Sequence, residues 1–244
     1  MPGGFFRVRL RARMSPFTES LQRGRIARKA ASVPDRLLLL SLLSIILLNP
    51  ILDHGDLRRL LLTALTFVPV IIATIRLSEK RHWLWPAVLL MSLTVAFGVA
   101  AIFFTHPMLL VLKWASLAVF FGLSVVGLFS YLTKARSAEL SHLFTAVSVY
   151  LLLSMLWFAM YAAIDAARPG SFQHSSTAIV HRESELLYFS LVTLTTVGYG
   201  DILPLADEAR MLAALEGVAG VLYVAITVAI LVSSFKRQDS SPHE

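Results

Sequence analysis

The chain has 244 residues, 57% of them hydrophobic and only 15% charged. That is too apolar for an ordinary soluble domain, and several runs approach or exceed the ~20 residues that cross a bilayer, so the sequence reads as a polytopic membrane protein. It contains no cysteine, which excludes disulfides and cysteine-held metals, and its net charge of +7 is concentrated rather than spread.

Residues 1–36 carry nine Arg and Lys against Glu19 and Asp35, so this segment holds the whole net charge. A basic tail beside a membrane span reads as a cytoplasmic segment near anionic lipid headgroups. Nucleic-acid binding would also suit the charge, but no recognisable motif supports it, and no nucleic-acid partner is expected. Nor is a secretory signal indicated, because the first apolar run begins only near Leu37 and no small-residue cleavage pattern follows it.

Six spans are expected after the tail. The first runs from Leu37 to about Leu52 and is ended by Asn49-Pro50. A polar turn at Asp53-His54-Gly55-Asp56 leads to the second, Leu60 to Leu77. The third extends from Trp83 to about Thr105, with Trp83 and Trp85 as interfacial anchors. Pro107 opens the fourth, which reaches about Tyr131. Residues 37–136 thus form a four-helix N-terminal membrane region.

A fifth span covers about Leu140 to Ala166. The polar stretch from Arg168 to Arg182 lacks apolar periodicity and reads as an exposed loop. Glu183 to Thr195 is too short to span but long enough for about three helical turns. The sixth span begins near Arg210 and ends at Phe235-Lys236-Arg237. Residues 238–244 read as a short cytoplasmic tail with no room for a ligand-binding domain. With both termini on one side, sixteen basic residues fall there against five on the other. That positive-inside bias places both termini in the cytoplasm.

Between the last two spans lies Thr195-Thr196-Val197-Gly198-Tyr199-Gly200-Asp201. Two glycines around a tyrosine do not belong in a helix, where each costs about 1 kcal/mol relative to alanine. Irregular backbone at membrane depth is tolerated only when packed in protein or lining an aqueous path. Glycine's freedom at Gly198 and Gly200 lets the carbonyls of Thr196, Val197, Gly198 and Tyr199 turn toward one axis. A row of such oxygens can replace the hydration shell of a monovalent cation.

Thr196 to Gly200 is the signature of the potassium-channel selectivity filter. Residues 138–237 resemble that family's pore domain as outer helix, pore helix, filter and inner helix. The resemblance implies an all-α membrane protein of six transmembrane helices, with a re-entrant pore helix and filter loop between the fifth and sixth, and a pore domain at 137–237. It implies potassium ions bound at Thr196, Val197, Gly198 and Tyr199, with Gly200 completing the filter and the Thr196 hydroxyl serving the innermost site. It further implies passive potassium-selective flux in a multi-pass protein of the plasma (cell inner) membrane, with no cofactor beyond the permeant ion. One filter segment per chain implies a homotetramer.

Support for the filter is assigned to four residues. The family's filter aspartate falls on Asp201, and by spacing its aromatic partner is Tyr188, where many relatives carry tryptophan. Thr195 stands at the join of pore helix and filter. Glu216 is an ionisable group deep in the sixth span, expected to brace the filter from behind through Ser190 or Thr193; the other reading is a carboxyl that reaches the outer interface. Gly217 and Gly220 lie at i and i+3. The resemblance marks Gly220 as the likelier gating hinge, while the alternative is that small residues only allow close helix packing.

Lys113 is the only charge well inside the first four spans. Voltage sensing uses arginines at every third residue along a helix, and the fourth span has no such array, so strong voltage gating is not expected. Lys113 is read as a snorkelling residue or one paired with Asp53 or Asp56. His174 and His181 lie in the outer loop, either solvated or titrating near the filter mouth, without a third ligand for a metal. Leu203 stands where a dinucleotide loop starting at Gly198 would need its third glycine. No nucleophile and base form a convincing set, so an enzyme is not expected. Two rival readings are a potassium-transporter-like subunit and a non-conducting membrane sensor or scaffold that works through its basic tail.

Overall fold

The computed structural model describes residues 35–48, 68–69, 71–73, 81–104, 106–133, 140–174 and 182–239. The first helix, α1, occupies residues 35–48 and so starts just inside the expected tail. It is followed by α2 (Arg81–Phe103), α3 (Pro107–Thr133) and α4 (Leu140–Ala167). A three-residue strand β1 (Phe172–His174), a short helix α5 (Arg182–Leu194), a second strand β2 (Ile202–Pro204) and the long α6 (Asp207–Asp239) complete the order.

The boundaries have local causes. Pro107 occupies the first helical position of α3, where its missing N–H costs nothing. The ring Nδ1 of His106 accepts from the Met108 N–H at 3.2 Å and acts as the cap. At the end of α4 the chain turns through Arg168-Pro169-Gly170, with Gly170 at φ +93°. The Ser171 hydroxyl and N–H both return to the Arg168 carbonyl, at 2.6 and 3.2 Å. Asp207 and Glu208 fill the first turn of α6, where negative charge complements the helix dipole.

Among the described residues three helices are long and apolar enough to cross a membrane: Pro107–Thr133, Ser141–Ala167 and Asp207–Ser233. They match the expected fourth, fifth and sixth spans. The third is represented by α2, whose apolar part, Val88–Ala100, is shorter. The second lies mostly outside the described residues.

The core is built on α4. Trp114 of α3 meets Phe158 edge-on, with ring centroids 5.2 Å apart. Leu117, Phe120, Phe121, Leu128 and Leu132 bury the same face of α3. Between α2 and α3 the hydroxyls of Thr94 and Ser116 meet at 2.9 Å. Hydroxyls within these apolar helices bond back to carbonyls one turn earlier, as Ser124 does to Phe120 (2.9 Å) and Ser148 to Phe144 (2.8 Å), so no unpaired hydroxyl is carried at these positions.

The stretch after α4 departs from the expected exposed loop. Phe172–His174 pairs antiparallel with Ile202–Pro204, in the register Phe172 to Pro204, Gln173 to Leu203 and His174 to Ile202. Ser171 and Phe172 are buried. The ring of Phe172 accounts for this, because its gain on leaving water outweighs the polar character of its neighbours.

Candidate functional site

The site is assembled where α5 ends. This helix begins at Arg182, one residue before the expected Glu183, and carries Glu183 and Glu185 in its first turn. Its apolar side buries Leu186, Leu187, Phe189 and Leu194 against the neighbouring helices. Arg182 Nε is 2.8 Å from the buried Asp165 of α4, which fixes where the helix starts.

A helix end leaves four carbonyls without intrahelical partners. Here each has one. The Leu191 carbonyl takes the Thr195 N–H at 3.1 Å and its hydroxyl at 2.7 Å. That of Val192 accepts from Val197 at 3.0 Å and Gly198 at 3.3 Å, and that of Thr193 accepts from Thr196 at 2.9 Å. The Leu194 carbonyl accepts from the Tyr150 hydroxyl of α4 at 3.1 Å. The chain leaving the helix is therefore folded back over its end.

From there the backbone alternates in hand. Thr196, Gly198 and Gly200 have φ of +60°, +55° and +77°, while the residues between them have no positive φ. In an ordinary extended strand successive carbonyls point to opposite sides. Reversing the sign of φ at every second residue turns alternate peptide planes over, which brings successive carbonyls toward a common side. Glycine takes these angles freely; Thr196, being β-branched, holds its left-handed conformation under strain that the surrounding bonds must offset.

The far end of this segment is tied by side chains. Tyr188 donates its hydroxyl to Asp201 Oδ2 at 2.8 Å. That bond, with some desolvation and the charges of Asp201 and Tyr199, raises the phenol above the usual tyrosine range. Thr195 turns its hydroxyl onto the helix end, away from the irregular segment.

Behind α5 lies a buried polar cluster. Glu216 of α6 is fully buried and accepts from Tyr161 at 2.6 Å through Oε2 and from Ser190 at 2.5 Å through Oε1. Ser190 also lies 2.8 Å from the Ser154 carbonyl and 3.2 Å from its hydroxyl. Of the two expected partners of Glu216, Ser190 is bonded to it, and Tyr161 of α4 joins them. Thr193 has another place, its carbonyl capping the helix.

The two glycines of α6 differ. A Cβ on Gly220 would run into the Leu194 carbonyl, whereas one on Gly217 would meet nothing within 4 Å. Three residues further along α6 from Gly220, Tyr223 donates to the Ala146 carbonyl at 2.6 Å and packs its ring 5.5 Å from Tyr150 and 6.0 Å from Phe129.

Sequence reasoning passed over Tyr150, Ser154 and Tyr161. The signal was present: within an apolar span they fall at i, i+4 and i+11, which is one helical face. Lys113 holds its ammonium 4.2 Å from the Trp114 ring; Asp53 and Asp56, its expected partners, lie outside the described residues. His174 is the last residue of β1, and His181 lies outside the described residues. Among the described residues no group of His, Asp and Glu is arranged to hold a metal.

Residues 145–237 match a family model described as "Ion channel". The inward rectifier potassium channel Kirbac3.1 of Paramagnetospirillum magnetotacticum is 31% identical over 93 residues, 36% of this chain and 28% of that protein. Two pore potassium channel b of Oryza sativa subsp. japonica is 43% identical over 75 residues, 31% of this chain and 19% of that one. Potassium voltage-gated channel protein shk-1 of Caenorhabditis elegans is 31% identical over 116 residues, covering 48% and 19%. The chain thus spans less than a third of the length of these relatives. No solved structure matches it significantly.

Proposed function

We propose that this chain, which belongs to the potassium channel family through residues 145–237, is one subunit of a potassium-selective channel that passes the ion down its electrochemical gradient. The observation that carries the reading is the alternation of positive φ at Thr196, Gly198 and Gly200 within Thr-Val-Gly-Tyr-Gly. It gives Thr196, Val197, Gly198 and Tyr199 a common carbonyl face, suited to replace the water around a dehydrated potassium ion. Asp201, Tyr188, Thr195 and Glu216 support that segment, and Gly217 and Gly220 are the candidate hinge of α6.

The subunit assembles as a homotetramer about the filter axis, with α6 lining the inner cavity. Tyr199 is 72% exposed in the single chain, and only 22% of the α6 span is buried, against 61% of α4. Apolar surface of this extent calls for neighbours or lipid, and fourfold closure also surrounds the ion with four carbonyl rows. In this reading α5 is re-entrant between the fifth and sixth of six spans, both termini are cytoplasmic in the plasma membrane, and the basic tail meets anionic lipid. The charge of α3 is confined to Lys113, so gating is not strongly voltage-dependent.

The test is potassium flux against sodium flux through the purified protein in liposomes, with Gly198→Ala alongside. Alanine at φ +55° costs about 1–2 kcal/mol of backbone strain and disturbs the carbonyl face. Potassium-selective flux abolished by Gly198→Ala is the expected result. Potassium binding without sustained flux would instead favour a transporter-like subunit. Neither binding nor flux from a folded tetramer, across anionic lipid and a range of pH, would favour a sensor or scaffold.

A further inference from the structure

The irregular segment is anchored at one end by the capped end of α5, through N–H groups up to Gly198. The next backbone pairing along the chain is that of β2, from Ile202 onward, and it is made to β1. Beyond the ribbon the Ser171 carbonyl accepts from Leu205 at 2.8 Å and Ala206 at 3.3 Å, which continues the same attachment. The exit end of the segment is thus held by the stretch that follows α4.

That stretch is itself keyed into the protein by one side chain. Phe172 is 4% exposed, and its ring meets Tyr161 and Phe189 edge-on, with centroids 5.5 and 5.6 Å away. Those two rings are 5.2 Å from one another, which closes a triangle of one residue each from β1, α4 and α5. Tyr161 carries the hydroxyl bonded to Glu216, and Phe189 precedes Ser190, the other partner of Glu216. The place of β1 is therefore fixed by the same two helices that border the buried carboxyl.

We infer that Phe172 and the β1–β2 ribbon are positioning elements for the Thr195–Asp201 segment, so that ion selectivity depends on a residue of the loop that follows α4. This rests on the channel reading above. A row of carbonyls distinguishes two cations by the spacing and field of its oxygens, which are set by where both ends of the row are held. The capped helix end and the Tyr188–Asp201 bond both attach the segment to α5 alone, which leaves Tyr199 and Gly200 some freedom to adjust to the smaller ion. The ribbon removes that freedom.

The experiment compares wild type, Phe172→Ala and Phe172→Leu as purified oligomers in liposomes, reading the ratio of potassium to sodium flux. The ratio is expected to fall about tenfold in Phe172→Ala, equivalent to about 1.4 kcal/mol between the two ions. Phe172→Leu, which still fills the site, stays near wild type. A second arm uses the absence of native cysteine. Gln173 and Leu203 face each other across the ribbon and are both exposed, so Gln173→Cys with Leu203→Cys forms a staple that does not touch the core.

Oxidation of that staple in the Phe172→Ala background is expected to restore the ratio toward wild type, and reduction to remove the gain. If Phe172→Ala does not assemble when reduced, assembling it oxidised and then reducing it in the membrane gives the same reading. A wild-type ratio in a correctly assembled, reduced Phe172→Ala protein overturns the inference. So does a lowered ratio that is identical in the oxidised and reduced stapled protein. Wild-type protein without potassium selectivity would instead overturn the channel reading itself, a separate outcome.

Discussion

Glu216 of α6 and Ser190 of α5 approach within 2.5 Å in the buried interior, and Tyr161 of α4 closes the cluster at 2.6 Å. Three helices that are distant in sequence thus share one carboxyl group. A buried carboxyl that lost one of these donors would keep its desolvation cost without the compensating bond.

The first prediction concerns this cluster. Tyr161→Phe removes the donor to Oε2 and is expected to destabilise the folded protein by roughly 1–3 kcal/mol, the usual cost of an orphaned buried polar group. Glu216→Leu leaves the Tyr161 hydroxyl without its acceptor, so the two single losses overlap and the double variant costs less than their sum. Thermal unfolding of the four proteins of this cycle measures the coupling, expected to exceed roughly 0.5 kcal/mol. Additive losses would mean that the two side chains act independently.

The second prediction is a pH dependence at the mouth of the segment. The bond to Asp201 raises the Tyr188 phenol above its ordinary value. A tyrosine whose value rises on folding contributes fully below its unfolded value, about 10, and loses that contribution as pH climbs through the raised one. Wild-type flux is therefore expected to be insensitive to this pair from neutral pH to about 10 and to decay faster beyond it. Tyr188→Phe, which has no proton to lose, shows the faster decay at neutral pH and little further change in alkali. Time courses of flux over that range distinguish the two.

Much of this site was legible in the sequence, for a physical reason. Glycines at alternate positions, an aspartate after them and a carboxyl in an apolar span are each costly unless used, so they stand out from their surroundings. The resemblance implied an aromatic partner for Asp201 and spacing picked out Tyr188, while Glu216 stood out by its depth. Phe172 did not stand out: an isolated phenylalanine between Arg168 and Arg182 has no periodic partner, and its burial depends on rings supplied by Tyr161 and Phe189 from other elements. The ribbon was hidden for the same reason, since three residues pairing across 28 to 32 positions leave no local pattern.

The two ion pairs near the C-terminal end of α4 are predicted to differ in weight. Arg168 and Glu208 meet at 2.8 Å with 69% and 55% of their side chains exposed. Such a pair contributes at most about 1 kcal/mol, and Arg168→Gln should leave thermal stability within that margin. Arg182 also lies 2.8 Å from its partner, but Asp165 is buried, so Arg182→Gln weakens the compensation of a desolvated carboxylate. A larger loss, on the order of 2 kcal/mol or more, is expected there. Equal thermal shifts for the two variants would contradict the difference in burial.

The last prediction separates the two glycines of α6. At Gly220 a methyl group would collide with the Leu194 carbonyl, a backbone atom that also accepts from Tyr150 and so has little room to retreat. Overpacking of this kind costs roughly 1–3 kcal/mol. Gly217 faces open space within the chain, and alanine there gains about 1 kcal/mol of helix propensity if nothing opposes it. Gly220→Ala is therefore expected to lower thermal stability and Gly217→Ala to leave it unchanged or raise it. Flux measured on the same proteins then assigns the roles. If Gly217→Ala unfolds no more readily than wild type yet reduces opening, the hinge lies at Gly217, and Gly220 is the contact that lets α6 approach the end of α5. If both variants conduct as wild type once folded, neither glycine bends during opening, and the small residues serve packing alone.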